Sequence, residues 1–286
     1  METPTTDNWL NSDRMITSML GHITPLILTY NEAANIERTI ERLGWAKNII
    51  VIDSYSTDTT LEILNSYSQV QVFKRKFDTH GQQWNYGLEQ VQSPWILSLD
   101  ADYLVTDELI SEMAALPVDG EIDGYFVSFK YCVLGKPVRN TRILPPRQVL
   151  FKKSKAIYID DGHTQVLQVT GKSSILSAYL YHDDRKSFSR WLWSQERYTV
   201  LEAKKILETP INELDWADRI RRKKVLAPAM IFIYCLILEG WIFDGWHGWY
   251  YVFHRVLAET ILAIRIIEGE KLQQQSSHTS SDTHQS

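Results

Sequence analysis

Acidic side chains follow two of the apolar segments in the first part of the sequence. Asp53 ends one such segment, and Asp100 and Asp102 end another, with one residue between them. A carboxylate accepts hydrogen bonds from both N–H and hydroxyl groups, which suits Asp53 to contact with the base or ribose of a nucleotide. Two carboxylates this close in sequence can hold a hard divalent cation, and that cation can neutralise a diphosphate. These residues predict a nucleotide site that uses a divalent cation.

The elements that position these side chains lie in residues 23–102, where short apolar runs alternate with helical patterns. This alternation is typical of β-α-β units and a parallel sheet. We predict strands at 23–29, 48–52, 70–73 and 95–99, and helices at 36–43 and 84–91. Because ligands bind beyond the carboxyl ends of parallel strands, we expect the polar residues after these strands to line one edge of the sheet.

The rest of the sequence changes character twice. In residues 124–184, short apolar segments are separated by Gly, Pro and Asn, which is a pattern typical of short strands. We predict that this part is an α+β extension that lines the site. A helix is predicted at 190–207, and the Gln-, Ser- and Thr-rich end is predicted to be disordered. The predicted organisation is an α/β domain at 1–185, a helical aromatic-rich region at 186–272 and a disordered tail at 273–286.

Composition excludes several classes of protein. The 286 residues are 44% hydrophobic and 23% charged, so neither wholesale disorder nor a chain with many membrane spans fits. The net charge of -5 argues against a nucleic-acid partner. Cys132 and Cys235 match neither a disulfide framework nor a zinc spacing, which favours a reducing compartment. Residues 1–13 lack the basic-then-apolar pattern of an export signal, so we expect a cytoplasmic protein.

The C-terminal region combines three features of a membrane-surface segment. Six of the 10 Trp residues lie within 191–249, and five basic residues cluster at 219–224. The uncharged run at 225–238 is shorter than the roughly 20 residues that a spanning helix needs. A second aromatic segment, 246–267, contains charged residues. The combination predicts peripheral association with the inner, anionic face of the cell membrane.

Two other motifs receive a structural interpretation. Gly171-Lys172-Ser173 resembles the end of a phosphate-binding loop, but Val166 stands where that loop needs its first Gly. The sequence His182-Asp183-Asp184 contains metal-ligand types, and we interpret it as a solvated turn. A dinucleotide-dependent oxidoreductase is disfavoured, because no GxGxxG motif follows a strand.

The polar segments taken together resemble the family 2 glycosyltransferases, inverting enzymes with a GT-A fold that use nucleotide-activated sugars. The motifs that carry the resemblance are Thr29-Tyr30-Asn31-Glu32, residues 53–58 and Asp100-Ala101-Asp102. The resemblance covers about residues 22–165. Residues 239–245 and the aromatic helix after them resemble the bacterial lipopolysaccharide-core glucosyltransferases. The implied fold is a mixed α/β, mostly parallel sheet flanked by helices, with a helical membrane-associating C-terminal region.

The resemblance also implies roles for individual residues. The nucleotide and its diphosphate would be bound by Thr29, Tyr30, Glu32, Asp53 and Asp100, and the divalent cation by Asp100, Asp102 and His163. Asn85 would lie in the helix before the metal-binding strand. Many relatives have Glu after the His, where this sequence has Thr164. We therefore assign the catalytic base to Asp161, with Asp160 as the alternative.

The expected activity is the transfer of a hexose from a nucleotide sugar, with UDP as the expected nucleotide, to a lipid-linked saccharide such as lipopolysaccharide core. The base takes the proton of the acceptor hydroxyl, while Mn²⁺ or Mg²⁺ stabilises the leaving phosphate. One alternative is a nucleotidyltransferase, although the Gly-rich basic loop typical of that class is absent at 28–32. The other is a non-catalytic membrane adaptor with a degenerate transferase domain.

Overall fold

The computed structural model of the protein describes residues 18–140, 145–161 and 164–282. These residues divide into two compact units. The first contains the described residues up to Pro137 and those from 145 to Lys186. The second contains Val138–Asn140 and the described residues from Ser187 onward, and we call it the helical unit.

Four parallel strands carry the predicted nucleotide-binding edge. They are β1 (Ile23–Thr29), β2 (Ile49–Asp53), β3 (Val70–Lys74) and β4 (Trp95–Asp100), in the order β3-β2-β1-β4. The four predicted strands are thus confirmed. The inner strands are almost continuous runs of Ile, Leu and Val, as expected where a parallel strand is covered on both faces. The register pairs Thr29 with Asp53 and Leu28 with Asp100, so the polar ends of three strands meet at one edge.

The helices of the first unit are short. They are α1 (Ile36–Glu41), α2 (Thr60–Asn65), α3 (His80–Gln90) and α4 (Asp107–Ala114). Helix α3 begins at His80, earlier than predicted, because the hydroxyl of Thr79 accepts a hydrogen bond from the Gln82 N–H and caps the helix. A Cβ added at Gly87 would lie 2.8 Å from Leu26 Cδ1, so this glycine lets α3 pack closely on β1.

The main sheet continues beyond β4 with strands of mixed direction. These are β5 (Tyr103–Val105), β6 (Ile122–Val133), β7 (Lys136–Pro137), β8 (Arg147–Lys152) and β11 (Lys172–His182). Their order after β4 is β8-β6-β11-β5, with β7 paired to β6. Strands β9 (Ala156–Asp161) and β10 (Thr164–Val169) pair with each other in a separate antiparallel sheet. The predicted mixed α/β fold class is confirmed.

The helical unit contains α5 (Phe188–Glu208), α6 (Trp216–Arg221), α7 (Leu226–Ile233) and α8 (Gly245–Asp282). A π-helical turn, Tyr234–Leu238, continues α7. The sequence predicts disorder from residue 273, whereas α8 continues to Asp282. Residues 273–282 contain neither Gly nor Pro, so nothing in their backbone interrupts a helix.

Within the described chain, no single helix is both long and apolar enough to cross a membrane. The segments 226–238 and 241–272 meet those two criteria only as a pair, across a bend of 68°.

The basic residues at 219–224, which the sequence suggests face anionic lipid, are largely engaged inside the helical unit. The Arg221 guanidinium lies 2.9 Å from Glu259 and 2.9 Å from Asp218. Arg222 donates to two carbonyl oxygens at the end of α5, and Lys224 pairs with Glu270. Apart from Asp218, which lies three residues before Arg221 in α6, these acceptors belong to α5, its C-cap and α8, so a local charge pattern does not reveal them. The cluster therefore stabilises the packing of α6 against α5 and α8.

Replacement of Glu259 tests this structural role. Glu259→Ala leaves the largely buried Arg221 without its principal partner, and we expect a loss of about 2 kcal/mol in the free energy of unfolding, reduced from the fully buried case by partial exposure. Glu208→Ala is the matched control, because Glu208 pairs with Lys204 on the surface at 4.0 Å. Its effect should stay within about 0.5 kcal/mol. Equal losses in urea denaturation would contradict the assignment.

Candidate functional site

Asp53 anchors the loop that follows β2. Its side chain is fully buried, and one carboxylate oxygen accepts hydrogen bonds from the hydroxyls of Thr29 at 3.0 Å and Ser56 at 2.6 Å. The other oxygen accepts from the Ser56 N–H at 2.8 Å. Tyr30, by contrast, is exposed. Thr29 and Asp53 lie together as predicted, with their polar atoms directed at each other and at Ser56.

Glu32 is bonded on both oxygens to residues of the same unit. One oxygen lies 2.8 Å from the Lys186 ammonium, and the other accepts from the Asn35 amide at 2.9 Å. Burial raises the pKa of Glu32 to about 7, against the opposing effect of Lys186. Burial lowers the pKa of Lys186, but Glu32, Asp102 and Asp184 outweigh it, so the net shift is upward. Lys186 therefore carries a positive charge among three carboxylates.

Asp102 is in contact with a histidine that the sequence pattern did not single out as a ligand. Its Oδ2 lies 3.2 Å from Nε2 of His182, and its Oδ1 is buried with no hydrogen-bond partner in the described part of the chain. Burial raises the pKa of Asp102, but His182 and Lys186 oppose it and bring the value to about 2. Burial lowers the pKa of His182, but the combined opposing effect of the neighbouring carboxylates, chiefly Asp102, is larger. The net result is a pKa above the ordinary value of histidine. An ionised carboxylate and an imidazole thus meet beside the end of β4.

The interpretation of His182-Asp183-Asp184 as a solvated turn is wrong. Asp183 is buried and forms ion pairs with Arg38 at 2.7 Å and Arg185 at 2.9 Å. Its backbone N–H donates to the Asp102 carbonyl at 3.0 Å. Asp184 accepts from Asn35 at 2.9 Å. The partners of this acidic run come from α1 and from the turn after β4, so the segment is part of the polar edge.

Asp100 lines a cavity of about 280 Å³. Its carboxylate is 43% exposed, and its Oδ2 lies 4.0 Å from the Arg147 guanidinium. Trp84 and Tyr158, stacked with their ring centres 5.2 Å apart, form part of the apolar wall. Arg147, Gln148 and Gln165 provide polar groups in the same cavity. The cavity therefore combines an aromatic wall with both signs of charge.

The candidate bases lie at the end of β9. The Asp160 carboxylate accepts a hydrogen bond of 2.7 Å from the Gly81 N–H in the first turn of α3. A Cβ at Gly81 would lie 2.8 Å from Asp160 Oδ1, so a glycine is needed for this approach. Asn85 exchanges two hydrogen bonds of 2.9 Å with the backbone of Tyr158 and so fixes β9 against α3. Asp161 ends β9, and the predicted metal ligand His163 lies outside the described residues.

The donor set near Asp102 suits a hard divalent cation. No group of three or more His, Cys, Asp or Glu side chains arranged for a metal occurs among residues 18–140, 145–161 and 164–282. Mg²⁺-type sites commonly use one or two carboxylates and complete their coordination with water and substrate phosphate. The buried, unpartnered Asp102 oxygen and the adjacent His182 nitrogen provide two suitable atoms. The half-exposed Asp100 can provide a third.

Sequence reasoning missed three residues of this edge: His182, Lys186 and Arg147. Each comes from a strand end or a loop far along the chain from Asp100 and Asp102. The stronger signal is the metal-ligand composition of His182-Asp183-Asp184, which the sequence alone led us to interpret as a solvated turn. The position of Arg147 directly after Pro145 and Pro146 was a weaker signal, since two prolines stiffen the backbone that leads into β8.

The sequence comparisons give a family and relatives. The family model described as Glycosyl transferase family 2 matches residues 26–180, more than half of the chain. An uncharacterized glycosyltransferase of Rickettsia bellii is 32% identical over 126 residues, which cover 43% of this chain and 42% of that relative. The chain thus matches less than half of that protein's length. The lipopolysaccharide core biosynthesis glycosyltransferase LpsC of Rhizobium meliloti is 23% identical over 197 residues, covering 65% of this chain and 72% of LpsC.

Solved structures resemble the chain at low sequence identity. Residues 1–349 of S. aureus TarS, crystallised in complex with UDP-GlcNAc, give a TM-score of 0.47 at 17% identity, covering 88% of this chain and 91% of that one. The glucosyl-3-phosphoglycerate synthase of Mycobacterium tuberculosis, in complex with Mn²⁺, UDP and glucosyl-3-phosphoglycerate, gives a TM-score of 0.43 at 14% identity. That match covers 70% of this chain and 84% of the synthase.

The buried position of Asp53 leads to a prediction that separates anchoring from ligand contact. Asp53→Asn places an amide donor where Ser56 also donates, so we expect a loss of about 1–3 kcal/mol in the free energy of unfolding without any nucleotide. Thermal and urea denaturation of the nucleotide-free protein measure this. If the variant is as stable as the wild type and only nucleotide affinity falls, Asp53 acts as a ligand contact instead.

Proposed function

Because the chain belongs to glycosyl transferase family 2, we propose that it transfers a hexose from a UDP-sugar to a lipid-linked saccharide such as lipopolysaccharide core. The chain is a glycosyltransferase, which favours sugar transfer over the nucleotidyl transfer and adaptor alternatives. The observation that carries the proposal is the meeting of Asp102, His182 and Lys186 beside Asp100 at the carboxyl edge of the sheet. A lipopolysaccharide-core acceptor is supported by the name of LpsC, one of the relatives.

The proposed reaction is a single displacement at the anomeric carbon. The acceptor hydroxyl attacks, a carboxylate takes its proton, and the bond to the nucleoside diphosphate breaks with inversion of configuration. Asp161 is the proposed base, with Asp160 as the alternative. Asp160 lies beside the first turn of α3, and Asp161 is the last residue of β9. The hydrogen bond from Gly81 orients the Asp160 carboxylate. No covalent nucleophile is required.

Asp102 and His182, with Asp100, would hold a divalent cation. A bound Mn²⁺ or Mg²⁺ would neutralise the charge that develops on the leaving diphosphate. Asp102 is ionised because His182 and Lys186 hold its pKa low despite burial. Lys186, fixed by Glu32 and Asp184, maintains positive charge near the same carboxylate. In this proposal His182 joins Asp100 and Asp102 at the cation, and His163, which the resemblance implies as a ligand, lies outside the described residues.

Calorimetric titration with UDP, with and without Mn²⁺, tests the donor site. We expect Mn²⁺-dependent UDP binding that is lost in the Asp100→Ala/Asp102→Ala double variant, because the cation ligands are removed. The single variant Asp100→Asn changes a half-exposed side chain, so we expect it to fold normally. It should also weaken Mn²⁺-dependent UDP binding, which would show that the loss in the double variant is not due to misfolding. Glu121→Ala, at an exposed carboxylate paired with Lys172, is the control and should bind normally. Failure of the wild type to bind UDP or GDP in either condition would contradict the transferase proposal.

We also propose that the helical unit attaches the enzyme to the surface of the membrane that contains its acceptor. Along α7 and the π-helical turn, Leu226, Met230, Ile233 and Ile237 recur at helical spacing, and all four are exposed. Ile237 is 70% exposed, and Phe243, in the short helix before α8, is 75% exposed. A soluble surface rarely exposes so many large apolar side chains together. A lipid surface would cover them.

Attachment should therefore depend more on apolar contact than on lipid charge, since most of the basic cluster is engaged inside the unit. We expect Ile237→Ser/Phe243→Ser to weaken binding to phosphatidylcholine vesicles by about tenfold or more. Addition of phosphatidylglycerol should increase wild-type binding only modestly. Ile175→Ser, an exposed apolar residue of β11, is the matched control. Vesicle flotation with equal binding by all three proteins, or with none by the wild type, would contradict the proposal.

A further inference from the structure

The cavity beside Asp100 is lined by Arg147, a positively charged residue with no role in the proposed reaction. Arg147 is the first residue of β8, which runs antiparallel to β4 with Leu97 opposite Leu150 and Trp95 opposite Lys152. Continuing that register places residue 147 opposite residue 100, and the two side chains are indeed 4.0 Å apart. The strand pairing itself therefore holds Arg147 at the end of β4, beside the predicted diphosphate position.

The Arg147 guanidinium makes few contacts with the described residues of the protein. Its one hydrogen-bond partner among the described residues is the Tyr103 hydroxyl, at 3.3 Å. The Asp100 contact is at the outer limit of an ion pair, and Arg147 is 54% exposed. Such a pair contributes roughly 0–1 kcal/mol to stability. A guanidinium has five N–H donors in a planar fork that matches phosphate or carboxylate oxygens. The described residues therefore use only a small part of its hydrogen-bonding capacity, and a ligand can use the rest.

We propose that this cavity is a subsite for an anionic group, phosphate or carboxylate, with Arg147 as the residue that binds it. The inference rests on the proposed function, because a sugar-nucleotide reaction brings such groups to Asp100. The volume of about 280 Å³ lies just below the roughly 300–1,000 Å³ of drug-sized sites, so it suits a single sugar or phosphoryl unit.

Two sources can provide the anionic group: the diphosphate of the donor, or an acidic substituent on the acceptor saccharide. Both place negatively charged oxygens within reach of Asp100 and Arg147. They differ in whether bound UDP already occupies the hydrogen-bond donors of the Arg147 guanidinium. If the donor diphosphate occupies it, removal of Arg147 weakens UDP binding. If the acceptor does, Arg147 still binds a small anion after UDP is bound.

The test is calorimetry on the full chain with UDP and Mn²⁺, followed by inorganic phosphate titrated into the UDP-loaded protein. Arg147→Gln removes the charge at a half-exposed position, and thermal denaturation checks its fold. Lys172→Gln, which removes a positive charge at an exposed site, is the matched control. We expect the Arg147→Gln variant to lose roughly 10- to 100-fold in affinity for one of the two probes, with Lys172→Gln unchanged.

The affected probe identifies the source of the anion. Weaker UDP binding in Arg147→Gln assigns the guanidinium to the donor diphosphate. Normal UDP binding with loss of phosphate binding assigns it to an acidic acceptor. If UDP binds and neither probe depends on Arg147, the inference is overturned while the proposed function stands. If the wild type binds no UDP, the proposed function fails first.

Discussion

The contact between Asp102 and His182 is the constraint on which the polar edge depends. It joins the end of β4 to the end of β11, at 3.2 Å, and leaves one carboxylate oxygen buried with no hydrogen-bond partner in the described chain. A buried, ionised oxygen without a partner is unfavourable by a few kcal/mol. A divalent cation is the partner that would remove this penalty, because it would accept both the carboxylate and the imidazole as ligands. The unpartnered Asp102 oxygen is therefore the position at which a bound cation would stabilise the folded protein most.

The residues after His182 make this contact rigid. Asp183 bonds to the Asp102 backbone and to Arg38, while Lys186 bridges Glu32 and Asp184. Asn35 connects the same segment to the turn after β1. Three strand ends are therefore held by one network of ion pairs and hydrogen bonds, in which Asp183 pairs with Arg38 and Lys186 pairs with Glu32 and Asp184. Such preorganisation suits the proposed transfer reaction, in which fixed charges would stabilise the charge that develops on the leaving group.

The parts of the fold that the sequence predicts are those set by local pattern. Strands β1 to β4 and the meeting of Asp53 and Asp100 at one edge follow from apolar runs and the geometry of parallel sheets. His182, Lys186 and Arg147 could not be found in this way, because their partners lie on strands and helices distant along the chain. The same limitation applies to Arg221 and Arg222. From the sequence alone they are interpreted as part of a membrane-facing basic cluster, because their acceptors in α8 and at the end of α5 are distant along the chain. Glu32 and Asp53 were correctly placed at the edge, although their oxygens are occupied by neighbouring residues.

Manganese binding to the nucleotide-free protein, followed through the electron paramagnetic resonance signal of free Mn²⁺, tests the central claim most directly. Wild type should bind Mn²⁺ more weakly as the pH falls, because Asp102 raises the pKa of His182 and the proton competes with the metal. His182→Ala should weaken binding at least about tenfold and remove most of that pH dependence. His247→Ala in the helical unit is the matched control. Binding by His182→Ala that equals the wild type at every pH would contradict the account.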